Sequence, residues 1–323
     1  GGSSREAYIE QTALHIVDKG WRVAVLNYSN VSVLEGESYS LGGNSLIESG
    51  NINFLISLIR QTHNGFLAAI GFSMGGTKLV QYLVRAKQYT NLDAACVISA
   101  PLDYTIRNDS VHKPSATFVT KMYHFVVANH LKLWIIKNYF QLRKHRKIKS
   151  SIPFQINLSG LLWWLRTNCV TEIDREITMP LKGREQSELL AYYDDATALS
   201  RLRDVRTPLL CITANNDPFI PIQLVPSKDI ALENENIFIA NTSGVGGHIG
   251  YWMFGCGCWA SKAAISFFDS VQLTEVSQTP RYLRKKSSID AAYNLQRTSK
   301  TGLTDYFDLI ASGSISEFDT TSS

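Results

Sequence analysis

The sequence predicts an α/β fold in which a mostly parallel sheet is covered by helices on both faces. The first observation behind this is a set of short runs apolar on both faces: Trp21–Tyr28 (WRVAVLNY), Phe66–Phe72 (FLAAIGF), Asp93–Ala100 (DAACVISA), Pro208–Ala214 (PLLCITA) and Asn236–Asn241 (NIFIAN). Strands with one solvated face alternate apolar with polar, whereas strands buried on both faces do not. The second is that helical patterns stand between the first three runs. The third is a stretch of about a hundred residues, Leu102 to Val205, where the alternation gives way to helical text with aromatic clusters and a basic run. Strands then resume, so the reading is an α/β core carrying a large helical cap insertion.

In chain order, Arg5–Asp18 is a helix closed at Gly20, a residue type that ends helices in a left-handed turn. Trp21–Tyr28 follows as a strand. Asn51–Thr62 repeats Ile52, Leu55, Ile56 and Ile59 at helical spacing. After the strand Phe66–Phe72 come the helix Met74–Ala86 (MGGTKLVQYLVRA) and the strand Asp93–Ala100. Beyond the cap, Pro208–Ala214 and Asn236–Asn241 are strands, and the helix Ser261–Val271 closes the folded unit. The core domain is therefore expected over residues 1–271, with the cap at about 102–205. From Gln272 to Ser323 the composition turns to Ser, Thr, Arg and Lys without sustained period. This reads as a mobile tail, with room for one short helix near Asp305–Ile310.

A hydrophobic fraction of 45% and a charged fraction of 19% exclude a wholly disordered chain. The net charge of +4 is too small to argue for nucleic acid. Seven His are spread widely and no Cys/His cluster has metal-ligand spacing, so neither a metal nor a cofactor is expected. Five Cys without disulfide spacing point to a reducing, intracellular compartment, with Cys96 and Cys211 as buried thiols. Against this stand five Asn-x-Ser/Thr sequons, a pattern short enough to arise often by chance. No apolar stretch approaches the roughly 20 residues that span a bilayer. The start at Gly1 reads as a cut or a fragment boundary, leaving room for an upstream membrane anchor.

Gly71-Phe72-Ser73-Met74-Gly75 matches G-x-S-x-G, and its context makes the match informative. An apolar strand ends at Phe72 and a helix begins at Met74, the strand–turn–helix setting of a nucleophile elbow. The turn forces Ser73 into a strained backbone state that lifts its hydroxyl above the sheet. Gly71 and Gly75, with Gly76, keep side chains out of the crowded corner. A serine at neutral pH needs a general base and an orienting acid. Asp217 follows the strand Pro208–Ala214, at the carboxyl edge where ligand sites form in open α/β sheets. His248 lies in Gly246-Gly247-His248-Ile249-Gly250 after the next strand, and it is the one His that follows Asp217. Asp194 and Asp195 are alternative acids, but they stand in a helical stretch and read as solvent-facing. The order Ser73, Asp217, His248 is that of an acyl-transfer triad on an α/β sheet.

The segments GSSREAYI (2–9), GFSMGG (71–76), ISAPLD (98–103), LLCITANNDPFIP (209–221) and GGHIGY (246–251) resemble the YheT-like α/β-hydrolases. That group includes the animal α/β-hydrolase domain proteins described as monoacylglycerol lipases and phospholipases. The resemblance runs from Gly1 to about Val271, diverging across the insertion. It implies an α/β-hydrolase fold, with Ser73 as nucleophile, Asp217 as acid, His248 as base and the Met74 N–H as an oxyanion donor. It also implies that the family's first strands, and a His-Gly loop offering a second oxyanion amide, would precede Gly1. Asn30–Ser40 departs from the family by lacking an Arg-Gly pair.

Between Lys121 and Lys149 apolar residues such as Met122, Phe125, Leu131, Trp134 and Phe140 alternate with Lys and Arg. Two readings stand open. One is a cap helix that lines an acyl pocket and touches anionic headgroups. The other is a helix packed on the core with a solvated basic face. Trp163 and Trp164 divide in the same way between core packing and ligand wall. No His is followed five positions later by Asp, which favours hydrolysis over acyl transfer. The expected function is thus a serine hydrolase of lipid carboxylic esters, with a lipid ester and a membrane surface as partners and no nucleic acid. The alternative is a non-catalytic, lipid-binding fragment of the same fold.

Overall fold

β1 (Ala68–Phe72), β2 (Ala94–Ile98), β3 (Leu209–Ala214) and β4 (Ile237–Thr242) lie side by side in that order, all parallel. This computed structural model describes residues 4–27, 50–104, 118–144, 149–168, 170–220, 225–244, 246–253 and 257–276. Ala68 pairs with Ala94, Ala95 with Leu209, and Leu209 with Ile237, so the carboxyl ends of the strands share one edge. β2 and β3 are buried along their whole length, which is why they read as continuous apolar runs.

The period of two in a strand assigns these residues to two layers. Ala95, Val97, Leu209, Cys211 and Ile237 pack with Leu79, Val80 and Leu83 of helix α3 (Met74–Ala86). Ala94, Cys96, Ile98, Leu210 and Ile212 pack on the opposite side with Ala260, Ala264 and Phe268 of the last helix (Trp259–Val276). Helix α1 (Ala7–Val17) lies against that last helix, joined by a buried hydrogen bond of 2.6 Å between the Thr12 and Ser261 hydroxyls. Helix α2 (Gly50–Thr62) touches α3. Burial pushes the Cys96 thiol well up and that of Cys211 up to about 12, so neither is a nucleophile at neutral pH.

Between β2 and β3 the described secondary-structure elements are all helical. Helices α4 (Phe118–Lys137), α5 (Tyr139–Lys144) and α6 (Leu158–Arg166) surround a cluster that includes Ala128, Ile135, Leu142, Phe154 and Ile177. Trp163 and Trp164 meet edge to face at 5.1 Å inside this cluster, and Trp164 Nε1 donates to the Pro153 carbonyl. Core packing is what they do. A second cluster joins Tyr104, Met179, Tyr192 and Tyr193 to Met74 at the start of α3. Tyr192 and Tyr193 belong to α7 (Leu189–Ala196). Gln81 Nε2 donates to the Ala196 carbonyl at 2.7 Å, tying that end of the cap to α3.

Three expectations change. Trp21–Tyr28 is not a strand over its described part: residues 21–27 pair with no sheet, and Val23 and Val25 are exposed. Trp21 is held by stacking on Phe268 and by Phe66 instead. A run of β-forming residues makes a strand only where a neighbour supplies the ladder, and among the described residues none does. The last helix begins two residues earlier than expected, where Trp259 and Ala260 pack in the core, and it runs to Val276. Helix α1 ends at Val17, and Gly20 takes the expected left-handed φ of 76°. Asn30–Ser40 and the tail beyond Val276, with Asp305–Ile310, lie outside the described residues.

Candidate active site

Ser73 stands between β1 and α3 with φ 48° and ψ −123°, a conformation that costs a non-glycine residue of order 1–3 kcal/mol. The surroundings hold it there. Its N–H donates to the Ile98 carbonyl at 2.9 Å, and its own carbonyl accepts from Gly76 and Thr77 in the first turn of α3. A Cβ on Gly71 would lie 2.6 Å from Gly76 Cα, and one on Gly76 would lie 2.6 Å from Ala100 Cβ. Gly75 supplies the carbonyl oxygen 2.9 Å from the same point at Gly71. Strand and helix can meet this closely only without side chains at Gly71 and Gly76. Met74 is the first residue of α3, so its N–H has no carbonyl one turn earlier to bond and points from the positive end of the helix.

Asp217 leaves the carboxyl end of β3 in the turn Asn215-Asn216-Asp217-Pro218, and its side chain is 2% exposed. Oδ1 accepts from the Phe219 and Ile220 backbone N–H groups at 2.8 and 3.1 Å, which fixes the carboxylate. Oδ2 lies 3.0 Å from His248 Nδ1. His248 follows β4, and its Nε2 lies 2.9 Å from Ser73 Oγ. The structure thus brings together three side chains that are 175 and 31 positions apart in the chain, in one hydrogen-bonded row.

The loop carrying His248 depends on unusual backbone states. Gly246 has φ 135°, and a Cβ there would lie 2.6 Å from the Tyr251 ring and 2.7 Å from Ala214 Cβ. Ile249 follows at φ 70°. Tyr251 is buried beneath, bonded through its hydroxyl to Ser99 Oγ at 3.0 Å, and burial pushes its pKa up to about 12. Asp194 and Asp195 are exposed and separate from this row, and Asp195 pairs with Arg184 at 3.0 Å.

Two neighbours were not singled out from the sequence. Asn216 Oδ1 accepts from the Gly247 N–H at 2.9 Å, so the residue beside Asp217 clasps the residue beside His248. The Phe219 ring lies 4.9 Å from the imidazole, tilted by 38°. Adjacency in Asn-Asp-Pro-Phe was the available signal, but adjacency does not say which side chain turns toward the other loop. An open depression of about 280 Å³, lined in part by Asp103, Thr197, Leu199, Arg203 and Ile230, contains none of the three row residues.

No protein-family model matches the chain. It is 27% identical over 266 residues to a mouse protein named phospholipase ABHD3, covering 77% of this chain and 56% of that one. It is 24% identical over 261 residues to a Saccharomyces cerevisiae monoacylglycerol lipase, covering 78% and 53%. The chain spans about half the length of these relatives. Among solved structures, a Pyrococcus furiosus esterase aligns with TM-score 0.48 and 12% identity over 83% of this chain and 78% of that one. The sequence relatives support the α/β-hydrolase family, and the fold of this chain is a parallel sheet flanked by helices.

Proposed function

We propose that this chain is a serine hydrolase that cleaves carboxylic esters of lipids, of acylglycerol or phospholipid type. The observation that carries the reading is the row Ser73 Oγ–His248 Nε2 and His248 Nδ1–Asp217 Oδ2, at 2.9 and 3.0 Å. Ser73 Oγ attacks the ester carbonyl while Nε2 takes its proton, and Nε2 returns that proton to the departing alcohol oxygen. Water then gives a proton to Nε2 while its oxygen bonds the acyl carbon, and the Ser73 Oγ–acyl bond breaks as Nε2 returns that proton to Oγ, releasing the fatty acid. Asp217 holds the imidazole with Nδ1 protonated and stabilises the transient imidazolium. The Met74 N–H, at the start of α3, donates to the oxyanion. Protons pass only among Ser73, His248, the leaving alcohol and water, so no step calls for a cofactor.

The lipid class rests on the names of the relatives. The test is fluorophosphonate labelling alongside fatty-acid release from monoacylglycerol and phospholipid. The wild type is expected to label and to release fatty acid, and Ser73→Ala to do neither. Labelling that survives Ser73→Ala overturns the nucleophile. A folded wild type that neither labels nor hydrolyses overturns the enzyme in favour of a lipid-binding protein.

A further inference from the structure

Ten of the chain's 32 Lys and Arg, and none of its 28 Asp and Glu, lie between residues 110 and 171. This stretch, which holds α4, α5 and α6, carries a charge of +10. The rest of the chain keeps 22 basic against 28 acidic residues and carries −6. The modest total of +4 hides a strongly divided molecule.

Helix α4 is apolar on two opposite sides. At 3.6 residues per turn, Ala128, Leu131 and Ile135 share the side that enters the cap cluster. On the other side Met122, Phe125, Val126, Leu133 and Ile136 form a stripe at helical spacing, each 45 to 58% exposed. Phe140 of α5 carries it on at 80%. A helix facing only water keeps its outer side polar, and contiguous exposed apolar surface marks an interaction site. Lys121, Lys137, Lys144, Lys149 and Arg166 are exposed on the same helices and their flanks. Among the described residues no carboxylate pairs with any of them. Lys132 is the exception, turned inward with Nζ donating to the Trp164 carbonyl at 3.1 Å.

We infer that the outer face of the cap is a docking surface for an anionic phospholipid bilayer. The apolar stripe lies at the boundary of headgroups and acyl chains, and the flanking Lys and Arg reach the headgroup phosphates. Both features are needed to choose this occupant. A second copy of the chain would bring its own exposed Lys121, Lys137, Lys144, Lys149 and Arg166 against these, and a nucleic acid would meet the cations while gaining nothing from Phe125, Leu133 or Phe140. No helix among the described residues is long and apolar enough to cross a membrane, so these helices offer a bilayer a surface. The inference is independent of the hydrolase reading, because it uses none of the three row residues.

The test is flotation of the full chain with vesicles of phosphatidylcholine alone and of equimolar phosphatidylcholine and phosphatidylserine. The mixed vesicles should bind at least about tenfold more tightly, and added salt should erase the difference. Lys137→Gln with Lys144→Gln should weaken binding to mixed vesicles by about thirtyfold, at roughly 1 kcal/mol per cation. Phe125→Ser with Leu133→Ser should weaken it at least about tenfold. Ser73→Ala should bind like the wild type whether or not the wild type hydrolyses esters, which separates failure of this inference from failure of the enzyme. Equal binding to both vesicle types, binding unchanged in either double variant, or light scattering that reveals a dimer broken by Leu133→Ser overturns it.

Discussion

The sheet and the cap use apolar residues in opposite ways. β2 and β3 are apolar on both faces because both faces are covered, one by α3 and the other by the last helix. Helix α4 is also apolar on both sides, yet one of them is open to solvent. Charge is uneven as well, since the stretch from 110 to 171 within the cap carries Lys and Arg without a single Asp or Glu. In the sheet half, the proposed function depends on buried groups held by close approach. In the cap, stability comes from the inner side and the outer side is free to serve binding.

The sharpest way to break this contrast is at Asp217. Asp217→Asn should lower ester hydrolysis by roughly 10⁴, because an amide holds the wrong imidazole tautomer, while vesicle binding stays intact. A rate within tenfold of wild type would remove Asp217 from the row. Next in size is a paired comparison of stability. Leu83→Ala, in the core between α3 and the sheet, should cost about 2–5 kcal/mol in denaturant unfolding. Leu133→Ala on the outer stripe should stay within about 0.5 kcal/mol. Equal costs would mean that the outer side of α4 is packed, and the contrast would fall. Asn216→Ala, which opens the clasp between the two loops, should lower kcat by about tenfold with the melting temperature nearly unchanged, as one lost hydrogen bond implies.

The smallest effect concerns pH. Burial raises the Tyr251 pKa from 10 to about 12, so the folded chain keeps that proton when the unfolded chain has lost it. The stabilisation is full below about pH 10 and is lost as pH rises toward 12. Tyr251→Phe should flatten the fall in stability over that window. An unchanged alkaline limb would assign it to other groups.

Much of the sheet half is legible in the sequence. The four paired strands stand out as apolar runs, and Gly71, Ser73, Met74 and Gly75 announce the turn. The crowding at Gly76 was also readable, since three glycines around one serine imply a corner without room for Cβ atoms. The cap is less legible. A helix apolar on two sides has little net amphipathicity, so periodicity locates it without saying which side faces the protein.

Local residue patterns suffice for the strand at Ala68–Phe72, the helix start at Met74, the left-handed Gly20 and the chain order Ser73, Asp217, His248. These follow from sterics and burial periodicities that act over a few neighbouring residues. Tertiary packing settles the rest: residues 21–27 pair with no strand among the described residues, Asn216 clasps Gly247, Phe219 lies against the imidazole and the Met122-to-Phe140 stripe faces outward. Each of these depends on what packing brings alongside a segment, and a local pattern is the same whether that neighbour is a strand, a loop or water.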